Sequence, residues 1–129
     1  MSDLYNLKEL EKYRGVNIVV FPSTQVDGAS SLTGDSKDNA QKVMQFKEAT
    51  FFLECTQFHA SLTSLDVDII QKDPVSGEWH VIDSFAQLTA VGRKRLAVSA
   101  NLGDEIAMQY TLVGAYTATF SVGAVAKIA

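Results

Sequence analysis

Two aspartates, Asp66 and Asp68, stand two positions apart in the stretch LDVDIIQKDPVSGEWHVID, and His80 closes the same stretch. Carboxylates and an imidazole are the groups that ligate cations and move protons. In a strand, residues i and i+2 point to one side, so the two acids share a face opposite Leu65, Val67 and Ile69. The same spacing describes the wet side of a half-buried strand, which needs polar residues at alternate positions. No D-x-D-x-D-G loop accompanies the acids, so the strand explanation takes precedence over a cation site. Trp79 immediately precedes His80, so the two side chains point opposite ways. Trp79 is expected in the core or capping its edge, and His80 toward solvent or a partner. His59 lies beside a strand end. Neither histidine has the i+4 or H-x-H company of a metal site.

The other reactive groups are equally sparse. Cys55, the single cysteine, allows no internal disulfide and no multi-cysteine zinc site, and it falls in a strand-like run where a small buried hydrophobe fits. A lone catalytic thiol is the alternative, without a histidine–asparagine pattern to support it. The glycines have neither G-x-G-x-x-G nor G-x-x-x-x-G-K-[ST] spacing, and no G-x-S-x-G elbow occurs. A triad assembled in space stays open at this level. The expectation is a protein that is not an enzyme, with no catalytic, cofactor or metal residues. Gly77, Gly92, Gly103 and Gly114 each sit between strand runs, where a turn uses positive φ. Arg93, Lys94 and Arg95 follow one such turn. They suit a charged strand start that protects a sheet edge, or docking to an acidic partner.

The elements that position these residues are mostly strands. From about Met44 to Ala129 the chain runs through EATFFLECTQF, HASLTS, LDVDI, EWHVIDSF, RKRLAVSA, EIAMQYTLV and AYTATFSV, with GAVAKIA as a last edge strand. Ala49, Phe51, Leu53 and Cys55 share one face. The turn signals DPVSG, AVGR, NLGD and LVGA separate the runs. Short strands at such intervals predict an all-β, antiparallel β-sandwich, jelly-roll-like, rather than a parallel α/β fold. Upstream, Leu4, Leu7 and Leu10 recur near helical spacing and predict a short amphipathic N-terminal helix over residues 3–14. GVNIVVFP, residues 15–22, reads as a strand. Residues 23–39, rich in Ser, Gly, Asp, Asn and Thr, predict a long polar loop or arm that orders on a partner, or a disordered surface loop. The division expected is 1–46 for helix, short strand and arm, and 47–129 for the sandwich.

The chain has 129 residues, 47% apolar and 20% charged, which suits one core. A net charge of −4 argues against a protein that coats nucleic acid. MSDLYNLKELEKYRG lacks an apolar run of signal-peptide length, and no stretch is apolar for the ~18 residues a membrane helix needs. Folding in a reducing cytoplasm, with no membrane partner, is the expectation.

From Ala49 onward the chain resembles small β-sandwich proteins encoded among tailed-phage structural genes, the capsid decoration or cement proteins. The run that carries this is LDVDIIQKDPVSGEWHVIDSFAQLTAVGRKRLAVSANLGDEIAMQYTLVGAYTATFSVGAVAK. Its D-P-x-S-G-x-W turn, F-x-x-L-T-A-V-G segment, Y-T-L-V-G and T-F-S-V fall in order. The resemblance implies a virion protein made in the host cytoplasm. It would trimerise on the outer capsid surface and bridge major capsid protein subunits. Val26 and Phe52, each on an expected non-core surface, would then be contacts, and Arg93 and Arg95 would meet acidic capsid patches. Alternatives are a tail, fibre-base or head–tail junction component, a carbohydrate-binding module, and an enzyme. A carbohydrate-binding module usually shows several exposed aromatics on one face. Here Trp79 is the sole tryptophan, and Tyr110 and Tyr116 fall at core phase.

Overall fold

The computed structural model describes residues 16–27, 30–43, 46–98, 102 and 105–127. Among the described residues, nine strands are divided between two antiparallel sheets. They are β1 (Val16–Asp27), β2 (Ser30–Asp35), β3 (Gln41–Lys42), β4 (Glu48–Phe58), β5 (Leu62–Lys72), β6 (Trp79–Ser84), β7 (Gly92–Val98), β8 (Glu105–Gly114) and β9 (Thr117–Lys127). Sheet A has the order β1-β9-β4-β7. Sheet B has the order β2-β8-β5-β6, with β3 also paired to β8. The expected helix over 3–14 lies outside the described residues.

The core lies between the sheets, and period-two patterning builds it. Ala49, Phe51, Leu53 and Cys55 of β4 face Leu65, Val67 and Ile69 of β5, with Phe120, Ile106, Met108 and Leu112 filling the space between. Burying a side chain of this size stabilises the fold by ~1.5–3 kcal/mol before entropy is counted. Phe120 packs against Phe21 and Tyr110, each at a ring separation of 5.2 Å. Phe85 and Leu88 are also buried. Their F-x-x-L segment stays bonded to β5: Leu65 and Leu88 exchange backbone hydrogen bonds at 2.8 and 3.0 Å, and Phe85 N–H donates to Val67 O at 2.9 Å.

Two sequence expectations fail. Residues 23–39 are not a long polar loop. β1 continues through Asp27 against β9, with register shifts around Phe21 that accommodate Pro22, and β2 pairs with β8 from Ser30 to Asp35. A short 3-10 turn spans Lys37–Asn39. Polar residues are compatible with this because β1 and β2 are outermost strands. The backbone ladder holds them together with a few widely spaced apolar anchors, Val20 and Val26 of β1 in the core and Leu32 of β2 packed against it. Ser36 extends that ladder: its N–H donates to Met108 O, and its hydroxyl accepts from Met108 N–H, each at 3.0 Å. GAVAKIA is likewise not a separate edge strand. Burial alternates without interruption through Gly123, so Gly123–Lys127 continues β9, which is central in sheet A between β1 and β4.

Candidate functional site

The opening aspartates are strand-face residues with amide partners. Gln87 Nε2 donates to both carboxylate oxygens of Asp66 at 3.1 Å, and Gln109 Nε2 donates to Asp68 at 3.0 Å. His80 is exposed on β6 opposite Gln71. Among the described residues, no group of three or more His, Cys, Asp or Glu side chains is placed to hold a metal. Trp79 is half-buried at the start of edge strand β6, outside the core.

Asp73–Gly77 forms the β5–β6 turn. Asp73 Oδ1 accepts from Val75 N–H at 2.9 Å, and Oδ2 accepts from Ser76 Oγ at 3.0 Å. These bonds favour the carboxylate, and they hold Asp73 below its ordinary pKa. Gly77 has φ 78°, the left-handed region the turn requires.

Cys55 lines an open cleft of about 520 Å³ with Glu54, Thr56, Val91, Gly92 and Arg93. The thiol itself is buried and donates to Gln57 O at 3.3 Å. Desolvation pushes its pKa above the ordinary thiol value, which disfavours the thiolate.

Three of the four sequence-picked interface residues meet on the solvent face of sheet A. Phe52 on β4 stands opposite Arg95 on β7, and Glu54 opposite Arg93. On its other side Phe52 faces Gly123 of β9, and Gly123 faces Val19 of β1. This row crosses all four strands. Val19 is 62% exposed and Phe52 43% exposed, and a Cβ placed on Gly123 would meet only Ile18 O, at 3.7 Å. The result is an open apolar strip with a shallow cleft of about 360 Å³ where Val19, Phe21 and Pro22 flank Gly123.

The cations beside the strip differ. Arg93 Nε donates to Glu54 Oε2 at 2.6 Å, but both side chains are well exposed, so the pair adds little stability. No carboxylate of the described residues lies within ion-pair distance of Arg95. Lys94 lies opposite buried Leu53, on the core side of edge strand β7. An inward charge on an edge strand blocks pairing with another chain, which is the edge-protecting role. Val26, the fourth candidate, does not belong to any surface. It pairs with Ala118 on the core side of β1 and is 7% exposed. Its polar neighbours hid the strand phase that turns it inward.

Sequence reasoning also missed an aromatic pair. Tyr116, expected at core phase, is in the β8–β9 turn with φ 80° and is 56% exposed. Its ring stacks on His59 at 4.3 Å. Tyr110 is partly buried against the core.

No protein-family model matches the chain, and no curated protein sequence matches it. Solved structures do. The PBSX exported protein XepA is similar over 88% of this chain, with a TM-score of 0.60 and 8% identity. The chain spans 37% of XepA's length. The SPBc2 prophage-derived protein YomS is similar over 87% of this chain and 92% of its own, with a TM-score of 0.44 and 10% identity. The CBM22-1–GH10 modules of a Clostridium thermocellum xylanase are similar over 87% of this chain and 29% of their own, with a TM-score of 0.49 and 9% identity. At such identities the likeness to XepA is one of fold, a two-sheet antiparallel sandwich, and the two weaker likenesses add nothing to it.

Proposed function

We propose that the chain is a non-enzymatic virion structural protein that decorates a phage capsid and bridges its major capsid protein subunits. The observation that carries this reading is the placement of exposed Phe52 opposite Arg95, which has no ion-pair partner among the described residues, on the solvent face of sheet A. Aromatic residues and arginine are enriched at protein interfaces, and an open apolar strip on a monomer's surface marks such a contact. The phage context is supported by the sequence resemblance from Ala49 onward. The fold shared with a protein named for the PBSX prophage agrees with it.

Docking by this face places Val19 and Phe52 under the partner and Arg95 against an acidic patch at the rim. The charged edge of β7 stays clear of strand pairing, so the sandwich meets its partner as a rigid body. Binding to the assembled lattice alone would stabilise the shell by mass action. A closed trimer fits the usual symmetry of homo-oligomers and would place three such faces around a lattice axis. An electron-microscopy map of the virion of the encoding phage tests the location. Density for the sandwich on the outer shell supports the reading, and density confined to the tail or the head–tail junction overturns it.

A further inference from the structure

We propose that the end of sheet A beside the β8–β9 turn is a binding site for a neutral glycan, with Tyr116 as the stacking platform and Gln57 and Gln25 as the polar rim. This site is independent of the capsid reading. Gly123 in the Phe52 row lies six steps along β9 from Thr117 at this end, ~20 Å of strand.

The platform comes first. A bulky non-glycine residue at φ 80° is an outlier that the surrounding structure must hold in place, and such outliers concentrate at ligand sites. Here the conformation carries a tyrosine ring into solvent rather than into the core. His59 backs the ring at 4.3 Å with the planes 26° apart. His59 is itself fixed: its N–H donates to Thr117 O at 3.2 Å, and its Nδ1 accepts from Ser61 N–H at 3.0 Å. An imidazole that accepts at Nδ1 carries its proton on Nε2, so an outward donor lies beside the aromatic face.

The rim follows from strand register. Gln25, Thr119 and Gln57 align across β1, β9 and β4 on the solvent face of sheet A. Thr119 Oγ1 donates to Gln57 Oε1 at 3.0 Å, which leaves the Gln57 amide N–H groups outward. Gln25 Nε2 donates to Thr117 Oγ1 at 3.4 Å, which leaves its carbonyl oxygen as an acceptor. Thr56 is exposed next to Gln57.

The chemistry of these groups selects the ligand. They are neutral donors and acceptors around one exposed aromatic face. A pyranose presents the complement, an apolar C–H face edged by hydroxyls, and sites of this kind combine an apolar surface with a few placed polar groups. Lysine and arginine are absent from the row. The next cross-strand pair along the sheet, Arg93 with Glu54, is already an ion pair, and Asp27 stands opposite Thr117. Among the described residues of the row no lysine or arginine stands ready for a phosphate or sulfate, which favours a neutral sugar over an acidic one.

Native affinity electrophoresis of the full chain tests this, with gels containing a soluble β-glucan, an α-glucan, a xylan, a mannan or a galactan, and dextran sulfate as the anionic probe. The expected result is retardation in at least one neutral gel and none in dextran sulfate. Tyr116→Gly suits the backbone conformation and is expected to melt at or above the wild-type temperature, yet to lose at least tenfold in affinity. Gln57→Ala is expected to lose affinity with the His59–Tyr116 stack intact, and Val75→Ser, in the distant β5–β6 turn, to match wild type. The proposal is overturned if all five neutral gels leave the wild type unretarded, if dextran sulfate retards it equally, or if Tyr116→Gly binds as wild type does. A purely structural stack predicts the opposite pattern for Tyr116→Gly, a changed melting temperature with unchanged retardation.

Discussion

Phe52 and Arg95 are direct cross-strand partners on the solvent face of sheet A, an exposed aromatic beside an arginine without an ion-pair partner among the described residues. Truncating a central aromatic contact costs ~2 kcal/mol or more in a well-packed interface, about thirtyfold in affinity. Phe52→Ala is therefore expected to weaken capsid binding by at least that factor, and Arg95→Glu to slow association and invert its salt dependence. Both should keep the wild-type melting temperature, because neither side chain is in the core. Surface plasmon resonance on immobilised capsids, with melting in parallel, checks this.

Lys94→Val is expected to promote association. The substitution removes the inward charge that guards the β7 edge and leaves that strand's core-side face apolar, Gly92, Leu96 and Val98 flanking the new valine. Size-exclusion chromatography with light scattering should show concentration-dependent species above the wild-type size. An unchanged profile would mean that another feature protects this edge.

Gly34 lies opposite Tyr110, and the ring leaves no room for a side chain: a Cβ there would fall 2.6 Å from Tyr110 Cζ. Gly34→Ala forces the ring out of its contacts with Phe21 and Phe120. The expected cost is ~1–3 kcal/mol and a drop of several degrees in melting temperature. In a double-mutant cycle with Tyr110→Leu, the two changes should couple by more than ~0.5 kcal/mol.

The pH dependence runs in opposite directions at the two ends of the scale. Burial raises the Cys55 thiol, and burial followed by the Asp35 charge raises the Tyr110 hydroxyl. The folded state thus holds these protons more tightly than the unfolded chain, and stability falls as pH rises from ~8.5 through the raised values. Asp73 is depressed by its bonds to Val75 and Ser76, so its contribution to the β5–β6 turn is present above the ordinary carboxylate range and lost on acidification. Denaturant midpoints across pH check the alkaline limb. Cys55→Ala should flatten part of it. Hydrogen exchange at Val75 and Gly77 checks the acidic one.

Much of the sandwich was legible because it rests on burial. Leu65, Val67 and Ile69 alternate with Asp66, Asp68 and Ile70 on β5, and the first three are all within 1% of full burial, as their phase requires. The 23–39 segment was not legible because in it the outer strands β1 and β2 pair largely through ladder hydrogen bonds, with only Val26 and Leu32 as widely spaced apolar contacts. With that phase hidden, Val26 could not be turned inward. The Phe52–Arg95 pairing was only half legible: each residue stood out alone, but their register depends on which strands neighbour β4. Tyr116 was misplaced because its tyrosine occupies a turn conformation that composition assigns to glycine. A Tyr flanked by Gly114-Ala115 and Thr117 at a strand junction was the one available signal.

The proposed docking of the sheet A solvent face on a capsid lattice has a direct readout. The most direct measurement is co-sedimentation of purified protein with expanded capsids of the encoding phage that lack it. The expected result is saturable pelleting with the capsids, reduced at least thirtyfold in affinity by Phe52→Ala at an unchanged melting temperature. Wild-type protein that stays in the supernatant at every concentration, or a Phe52→Ala variant that pellets as well as wild type, would contradict it.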